Sequence, residues 1–262
     1  MSKTMLVTLL LFALTSRSWG IDLSEYRLVD LTHSFNEETV YWPTASSSFE
    51  LTELAFGETP AGWFYSAYAI CAPEHGGTHL DAPAHFSASG TPTHAIPLEN
   101  LIAPAILIDV SVKANVDRNY RLTVTDVLEF EARHGAIGSG TIVLLRTGWS
   151  DRWPDVEAYL GDDTPGDATR LAFPSYGGDA ARLLVEQRKV VMLGVDTASI
   201  DYGPSQDFTV HRIAAAGNVG GLENLMDLQE LPPTDFTVLA LPIKIEGGSG
   251  GPVRVVALVP RD

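Results

Sequence analysis

Four side chains that can bind a metal ion lie within eleven residues of this chain, and their spacing constrains the fold more than any other feature. They are His75, His79, Asp81 and His85, which all occupy odd-numbered positions. Successive side chains of an extended chain point to opposite faces, so these four would project to the same side. On a helix, Asp81 would point away from His75 and His79. The spacing therefore predicts an extended segment whose polar side chains converge.

The side-chain types in this segment favour a divalent transition metal. Imidazole and carboxylate suit Zn²⁺, Mn²⁺ or Fe²⁺, whereas Ca²⁺ and Mg²⁺ prefer oxygen ligands alone. Three of the side chains, those of His75, His79 and Asp81, would leave open positions on the ion, and a water bound there loses a proton near neutral pH. His85 is then available as a base. The alternative, that these are ordinary surface or core residues, requires four metal-preferring side chains to coincide by chance.

The first twenty residues resemble a secretory signal peptide. Lys3 precedes an apolar run over residues 5–14, and Ser18 and Gly20 are small residues at the positions that a signal peptidase reads. The apolar run is too short to span a bilayer. We therefore expect an exported protein, periplasmic or secreted, in which residues 21–262 form a single catalytic domain.

Charge and composition exclude several kinds of partner and cofactor. The formal net charge of −16 argues against nucleic acid and anionic membrane surfaces as partners. Because Cys71 is the only cysteine, no internal disulfide can form, and we interpret it as a small buried strand residue. The sequence has no dinucleotide-binding glycine motif, P-loop or G-x-S-x-G motif. The glycine-rich stretch 247–251 lacks the lysine of a phosphate loop and is interpreted as a mobile turn before the last strand.

Short apolar runs rich in β-branched residues recur along the chain and are typical of strands. They cover residues 27–31, 63–70, 105–110, 141–146, 190–195, 236–241 and 253–259. A helical pattern spans residues 124–134 and ends before Gly135, and a second spans about 179–188. Strands outnumber helices, so we predict an α/β fold with a central mixed β-sheet or small barrel flanked by a few helices.

Further candidates for the site lie on both sides of the motif. His211 and Glu223, which a glycine-rich stretch connects, are candidates to complete the ligand set. Their spacing alone leaves open whether His211 is an ordinary helix residue and Glu223 a solvated carboxylate. Aromatic side chains before the motif could form a wall for a flat organic substrate, and we assign Trp42 and one of Trp63 or Phe64 to it.

The segment from His75 to His85 resembles the H-x-G-T-H-x-D-x-P-x-H signature of the cyclase family, which includes bacterial kynurenine formamidases and isatin hydrolases. The resemblance extends to residues 30–33, 194–201, 211–223 and 251–254. It implies a swivelling β/β/α fold, a homodimer, and a substrate that is a small aromatic amide or lactam.

The resemblance also implies roles for individual residues. It implies that the primary metal ligands are His75, His79 and Asp81, and that Asp81 can bridge two ions. In the formamidase branch, a later histidine and a glutamate twelve residues beyond it complete a two-metal site, and His211 and Glu223 have this separation.

The proton donor and acceptor implied by the resemblance is His85, and the implied substrate contact is Trp42. After Pro43 the chain continues with Thr44, where the formamidases commonly have Gly-Asp. This departure argues against formyl-kynurenine as the substrate. The length of the chain and the aromatic cluster at residues 63–65 favour the isatin hydrolase branch.

The sequence therefore predicts a hydrolase that uses one or two divalent metal ions, Mn²⁺ or Zn²⁺, to cleave an amide bond next to an aromatic ring. Metal-activated water would attack the carbonyl, and His85 would act as general base. The alternative is a non-catalytic protein on the same fold that binds metal or ligand without turnover. The presence of His85 argues against this alternative, because a storage site needs no additional base.

Overall fold

The computed structural model describes residues 22–261. The predicted signal peptide, residues 1–20, lies outside the described residues, and export therefore stays a prediction. Within the described part of the chain, no helix is both long enough and apolar enough to cross a membrane.

The described residues form short strands and helices. The strands are β1 Tyr26–Asp30, β2 Glu50–Glu58, β3 Phe64–Cys71, β4 His79–Asp81, β5 Ile102–Asp109, β6 Arg121–Leu122, β7 Ile142–Arg146, β8 Ser175–Tyr176, β9 Met192–Val195, β10 Gly220–Glu223, β11 Phe236–Pro242 and β12 Gly250–Pro260. The α-helices are α1 Leu98–Leu101, α2 Ser111–Val116, α3 Val124–His134, α4 Val156–Leu160, α5 Gly178–Arg182 and α6 Thr209–Ala216. A π-helical stretch, Leu183–Arg188, continues α5.

Seven of the strands close into a mixed barrel. The sheet order is β1-β12-β11-β5-β7-β9-β10-β4, and β4 also pairs with β12, so the sheet returns on itself and leaves β1 as an additional edge strand. Strands β5, β7, β9 and β10 run parallel, whereas β4, β11 and β12 pair antiparallel with their neighbours. The predicted α/β fold with a mixed sheet or small barrel is confirmed.

Strand β4 closes the barrel and carries two residues, His79 and Asp81, of the candidate metal-binding segment 75–85, called the metal motif below. His79 lies opposite Glu223 of β10 on one side and opposite Pro252 of β12 on the other. The side chain between the two polar residues, Leu80, is fully buried in the apolar core. Alternation along this strand therefore separates the core from the polar site.

Apolar side chains fill two layers around the parallel strands. In β7, Ile142 and Leu144 belong to the core cluster that β4 and β12 share, whereas Val143 and Leu145 belong to a second cluster with α3, α5 and α6. Because both faces of β7 are buried, its sequence is a continuous apolar run rather than an alternating one. The helices therefore cover the outside of the parallel strands.

Sequence patterns located most of these elements. Each predicted strand is present with boundaries shifted by a few residues, and the predicted helix at 124–134 is α3. A capping box between Thr123 and Asp126 begins this helix, and Gly135, with a φ of 95°, follows its end. The elements that were not predicted are β2, β6, β8 and β10 among the strands, and α1, α2, α4 and α6 among the helices.

The hairpin of β2 and β3 differs from the prediction. We interpreted Cys71, at the end of this hairpin, as a small buried strand residue. Instead β2 and β3 form a separate two-stranded sheet, nearly all of whose residues are exposed, including Cys71. This interpretation was wrong because a strand-like pattern does not reveal whether another layer covers the strand.

Thr78 ties the metal motif to two other segments. Its hydroxyl group accepts a hydrogen bond from the His33 backbone N–H at 2.9 Å and donates one to the Asn224 carbonyl at 2.6 Å. The Asn224 side chain in turn donates to the Gly77 carbonyl at 2.7 Å. Since Thr78 is fully buried, water cannot replace these bonds.

We predict that Thr78→Val lowers the free energy of unfolding by about 2–4 kcal/mol, because it leaves a buried N–H and a buried C=O without a partner. Urea denaturation followed by tryptophan fluorescence measures the change. Thr125→Val, at an exposed position of α3, is the matched control and should change stability by less than about 0.5 kcal/mol. Equal stability of the two variants would contradict the assigned role of Thr78.

Candidate active site

The metal motif converges, although only its centre is a strand. His79 and Asp81 project from β4, whereas His75 lies on the preceding loop and His85 ends a 3₁₀ turn, Pro83–His85. The spacing predicted an extended segment throughout, but the chain turns after Ala82. The turn still returns His85 to the site, where its ring stacks on that of His75 with a centroid distance of 3.8 Å.

Helix α6 and strand β10 bring His211 and Glu223 to the same place. The Nε2 atom of His211 lies 3.0 Å from Oδ2 of Asp81 and 3.2 Å from Oε1 of Glu223. The other Glu223 oxygen lies 3.4 Å from Nε2 of His79. Both His211 and Glu223 are buried. The structure therefore places both residues beside the motif and not on the solvated surface.

Asp81 lies at the centre of the site. Its Oδ1 atom faces Nδ1 of His75 at 2.6 Å and Nε2 of His79 at 3.2 Å, whereas Oδ2 faces His211. Two groups of potential ligand atoms, each within 4.8 Å of one another, share this carboxylate: His75, His79 and Asp81 form one, and Asp81, His85 and His211 form the other. The arrangement can hold one cation, or two cations on either side of Asp81.

Three of the histidines have a hydrogen-bonding partner behind the site. His79 donates from Nδ1–H to the Gly77 carbonyl at 2.9 Å, and His211 donates from Nδ1–H to Asp201 at 2.7 Å. Nε2 of His75 lies 2.9 Å from the Ser249 hydroxyl oxygen. Such partners fix the tautomer and the orientation of a metal-binding imidazole, and they leave the other nitrogen free to bind the ion.

His85 differs from the other three histidines. Among the hydrogen bonds within residues 22–261, none involves a ring nitrogen of His85, and the ring is held by packing against His75 and, edge to face, against Phe86. Burial lowers the pKa of His85 to about 4. The imidazole is therefore neutral at neutral pH, and its nitrogens are available to a bound molecule.

The electrostatics of the cluster fit a bound cation. Although burial opposes protonation, Asp81 and Glu223 raise the pKa of His79 to about 9. Burial would raise the pKa of Asp81, but His79, His211 and His75 hold it well below its usual value. No lysine or arginine is among the described residues that line the surrounding cavity. The buried carboxylates thus lack a fixed positive partner, and the nitrogen and oxygen donors suit Zn²⁺ or Mn²⁺.

The cluster opens into a cavity of 410 Å³ with aromatic walls. Aromatic side chains that line it are Tyr41, Trp42, Phe86 and Phe208. The size is in the range typical of small-molecule sites. Trp42 is thus in the predicted place. Trp63 and Phe64, in contrast, are 61% exposed at the hairpin and do not line the cavity of their own chain.

Two residues outside the predicted set of site residues also contribute to the site. Phe208 reaches the cavity from a left-handed backbone position, with a φ of 48°, immediately before α6. Asp201 accepts hydrogen bonds from the backbone N–H groups of Val210 and His211 as well as from the His211 ring, and so holds the first turn of α6 against the site. The position of Asp201, just beyond a predicted strand, could have indicated a site residue. The sequence around Phe208 has no such signal.

Comparison with known proteins places the chain in a family. The family model named Cyclase matches residues 29–202. An isatin hydrolase from Roseibium aggregatum is 34% identical over 208 residues, which cover 76% of this chain and 77% of the relative. A kynurenine formamidase from Salinibacter ruber is 28% identical over 242 residues, which cover 87% of this chain and 96% of the relative.

The fold agrees with these relatives. A crystal structure of an isatin hydrolase bound to the product analogue thioisatinate superimposes with a TM-score of 0.83 at 31% identity, and the match covers 91% of this chain and 94% of that one. The region that the family model matches, residues 29–202, contains the whole motif from His75 to His85. The chain therefore belongs to the cyclase family, and like these relatives it is a hydrolase.

Proposed function

We propose that this protein is a metal-dependent hydrolase that cleaves an amide bond next to an aromatic ring, either an exocyclic formamide or a cyclic lactam. One observation carries the proposal: imidazoles and carboxylates from separate chain segments converge on the wall of a single aromatic cavity. The nitrogen and oxygen donors suit a divalent transition metal, and the aromatic walls suit a flat ring.

The residues that would hold the metal are His75, His79 and Asp81, and His211 and Glu223 would complete a second position next to Asp81. A bound divalent ion supplies polarisation of a carbonyl group and a water of lowered pKa. Trp42 and Phe86 line the same cavity, so they can hold an aromatic substrate beside the metal ligands.

His85 is the residue that would move the proton. Its neutral ring can accept a proton from the attacking water and return it to the departing nitrogen. The return is necessary because an amide anion is a poor leaving group. Since His75 stacks on one face of His85 and Phe86 packs edge to face, the ring is positioned without using its nitrogens.

Within this reaction class we favour a fused aromatic lactam as the substrate. The relative with 34% identity is an isatin hydrolase, and the structure with a TM-score of 0.83 is also an isatin hydrolase. The residues after Pro43, where the chain departs from the formamidases, line the cavity: they are Thr44, Ala45 and Ser46. The alternative function is metal or ligand binding without turnover, which gives no role to the unpaired nitrogens of His85.

The substrate proposal predicts that metal-loaded protein hydrolyses isatin with a higher kcat/KM than formyl-kynurenine or formanilide. Ring opening of isatin and deformylation both change the ultraviolet absorbance, so one spectrophotometric assay compares them. Removal of the metal with a chelator should abolish the activity, and Mn²⁺ or Zn²⁺ should restore it. If protein with stoichiometric metal hydrolyses none of the three compounds, the non-catalytic alternative is correct.

The proposed division of roles predicts different outcomes for two histidine variants. His79→Ala should lose both bound metal and activity. His85→Ala should keep metal and fold but lose about 10²- to 10⁴-fold in kcat, the usual contribution of a positioned base. Elemental analysis and kcat are measured on the same samples, with His134→Ala, exposed on α3, as the control. Loss of metal from His85→Ala would show that His85 is a ligand and not a base.

We also propose that two copies of the chain form a homodimer through the hairpin of β2 and β3. A two-stranded hairpin alone is marginally stable in water, yet this one exposes apolar side chains along its length, including Leu54, Phe56 and Ile70. The outer face of the barrel at β1 and β11 is also uncovered and exposes Leu28 and Leu241. In a two-fold dimer the hairpin of each copy can cover the sheet face of the other, so a single contact buries both surfaces.

The homodimer proposal predicts that the double variant Leu54→Glu, Ile70→Glu is a monomer, because charged side chains would be buried without partners. Light scattering coupled to size-exclusion chromatography gives the molar mass. The matched control is Val116→Glu, which places the same charge on an exposed residue of α2, and it should remain a dimer. A monomeric wild-type protein would disprove the proposal.

A further inference from the structure

The glycine-rich turn at residues 247–251 is anchored beside the metal site and is not the mobile turn that we expected. The backbone N–H of Thr93 donates to the Gly248 carbonyl at 3.0 Å, and that of Ala82 donates to the Ser249 carbonyl at 2.8 Å. The N–H of Gly247 donates to Nδ1 of His94 at 3.0 Å. These bonds fix the turn against the segment that follows β4.

The two glycines on either side of Ser249 permit its close approach to the motif. A Cβ atom on Gly248 would lie 2.6 Å from Oε1 of Glu74, and one on Gly250 would lie 2.6 Å from Cε1 of His75. The Cβ atom on Gly250 would also lie 2.6 Å from the backbone carbonyl oxygen of Leu80, so a larger residue there would displace the turn. The absence of side chains at positions 248 and 250 therefore allows Ser249 to lie next to Glu74 and His75.

Ser249 connects Glu74 to His75. Its hydroxyl group donates to Oε2 of Glu74 at 2.6 Å, and its backbone N–H donates to the same oxygen at 3.0 Å. Nε2 of His75 lies 2.9 Å from the hydroxyl oxygen. Because the hydroxyl hydrogen is directed at the carboxylate, the hydroxyl oxygen accepts a hydrogen bond from Nε2–H of His75.

His75 depends on this connection more than the other proposed ligands do. Its side chain is 26% exposed, compared with 3% for His79 and 7% for His211. It faces Asp81 through Nδ1, whereas His79 and His211 face it through Nε2. Without a partner for Nε2, the partly exposed ring could rotate or exchange tautomers, and Nδ1 would no longer present a lone pair to the site.

We propose that Glu74 and Ser249 are positioning residues that fix the tautomer and the orientation of His75, so that its Nδ1 is available to the metal. The inference rests on the proposed function and deepens it, since it assigns a task to a turn outside the signature motif. His85 stacks on His75, so the same pair also limits where the proposed base can lie.

The experiment measures metal affinity by chelator competition, in Ser249→Ala, Glu74→Ala and Glu74→Gln. Ser249→Ala and Glu74→Ala should bind Zn²⁺ or Mn²⁺ about 10- to 100-fold more weakly than wild type, the usual effect of losing such a partner. Glu74→Gln keeps an oxygen that can accept from Ser249, so its affinity should stay within a few-fold of wild type. The matched control is Ser139→Ala, at an exposed position between α3 and β7. It should bind the metal as tightly as the wild type does.

A spectroscopic measurement separates positioning from a general structural effect. In the Zn²⁺ form, ¹⁵N NMR of the imidazoles should show a protected Nε2–H for His75 in the wild type and in Glu74→Gln. That signal should be lost in Ser249→Ala. If Ser249→Ala fails to fold, the two Glu74 variants still decide the question.

The outcomes distinguish a failure of the proposed function from a failure of the positioning role alone. A wild-type protein that binds no metal would overturn the proposed function, and the positioning role with it. A wild-type protein that binds metal, together with Ser249→Ala and Glu74→Ala of equal affinity, would overturn only the positioning role. Weaker binding in both alanine variants, rescued in Glu74→Gln, supports it.

Discussion

The structure depends on one constraint: a strand of three residues, His79–Asp81, must close the barrel and carry polar groups at the same time. It pairs with β10 on one side and with β12 on the other, so neither edge of the barrel is left open. A shift of register by one residue would turn Leu80 towards the site and the polar side chains into the core. The burial of Leu80 therefore fixes the direction of His79 and Asp81.

The neighbours of this strand determine what surrounds the site. Strand β10 brings Glu223 opposite His79, and the start of β12 brings the turn that contains Ser249. The short strand thus receives one carboxylate and one hydroxyl group from chain segments distant in sequence. The same connectivity explains why polar side chains from the motif, α6 and β10 meet although no local pattern joins them.

The sequence predicted those helices and strands whose local hydrophobic and capping pattern agrees with their burial in the fold. The helix α3 has its own cap and stop signals, and the core strands are apolar on both faces, so each was found. The hairpin was misjudged because its exposed strands have the pattern of covered ones. Strand β10, with the sequence Gly-Gly-Leu-Glu, has too few apolar residues to be recognised, and only the spacing from His211 to Glu223 indicated its role.

Barrel closure also sets the order in which the molecule can be made. The contact between His75 and Ser249 joins residues 174 positions apart, and β4 has no second neighbour until β12 is present. Pairings between such distant segments form late and slowly, because the loop between the segments must be ordered first. The motif histidines consequently leave the ribosome long before their binding geometry exists. The polar cluster around Asp81 is therefore complete only after the last strand has joined the barrel.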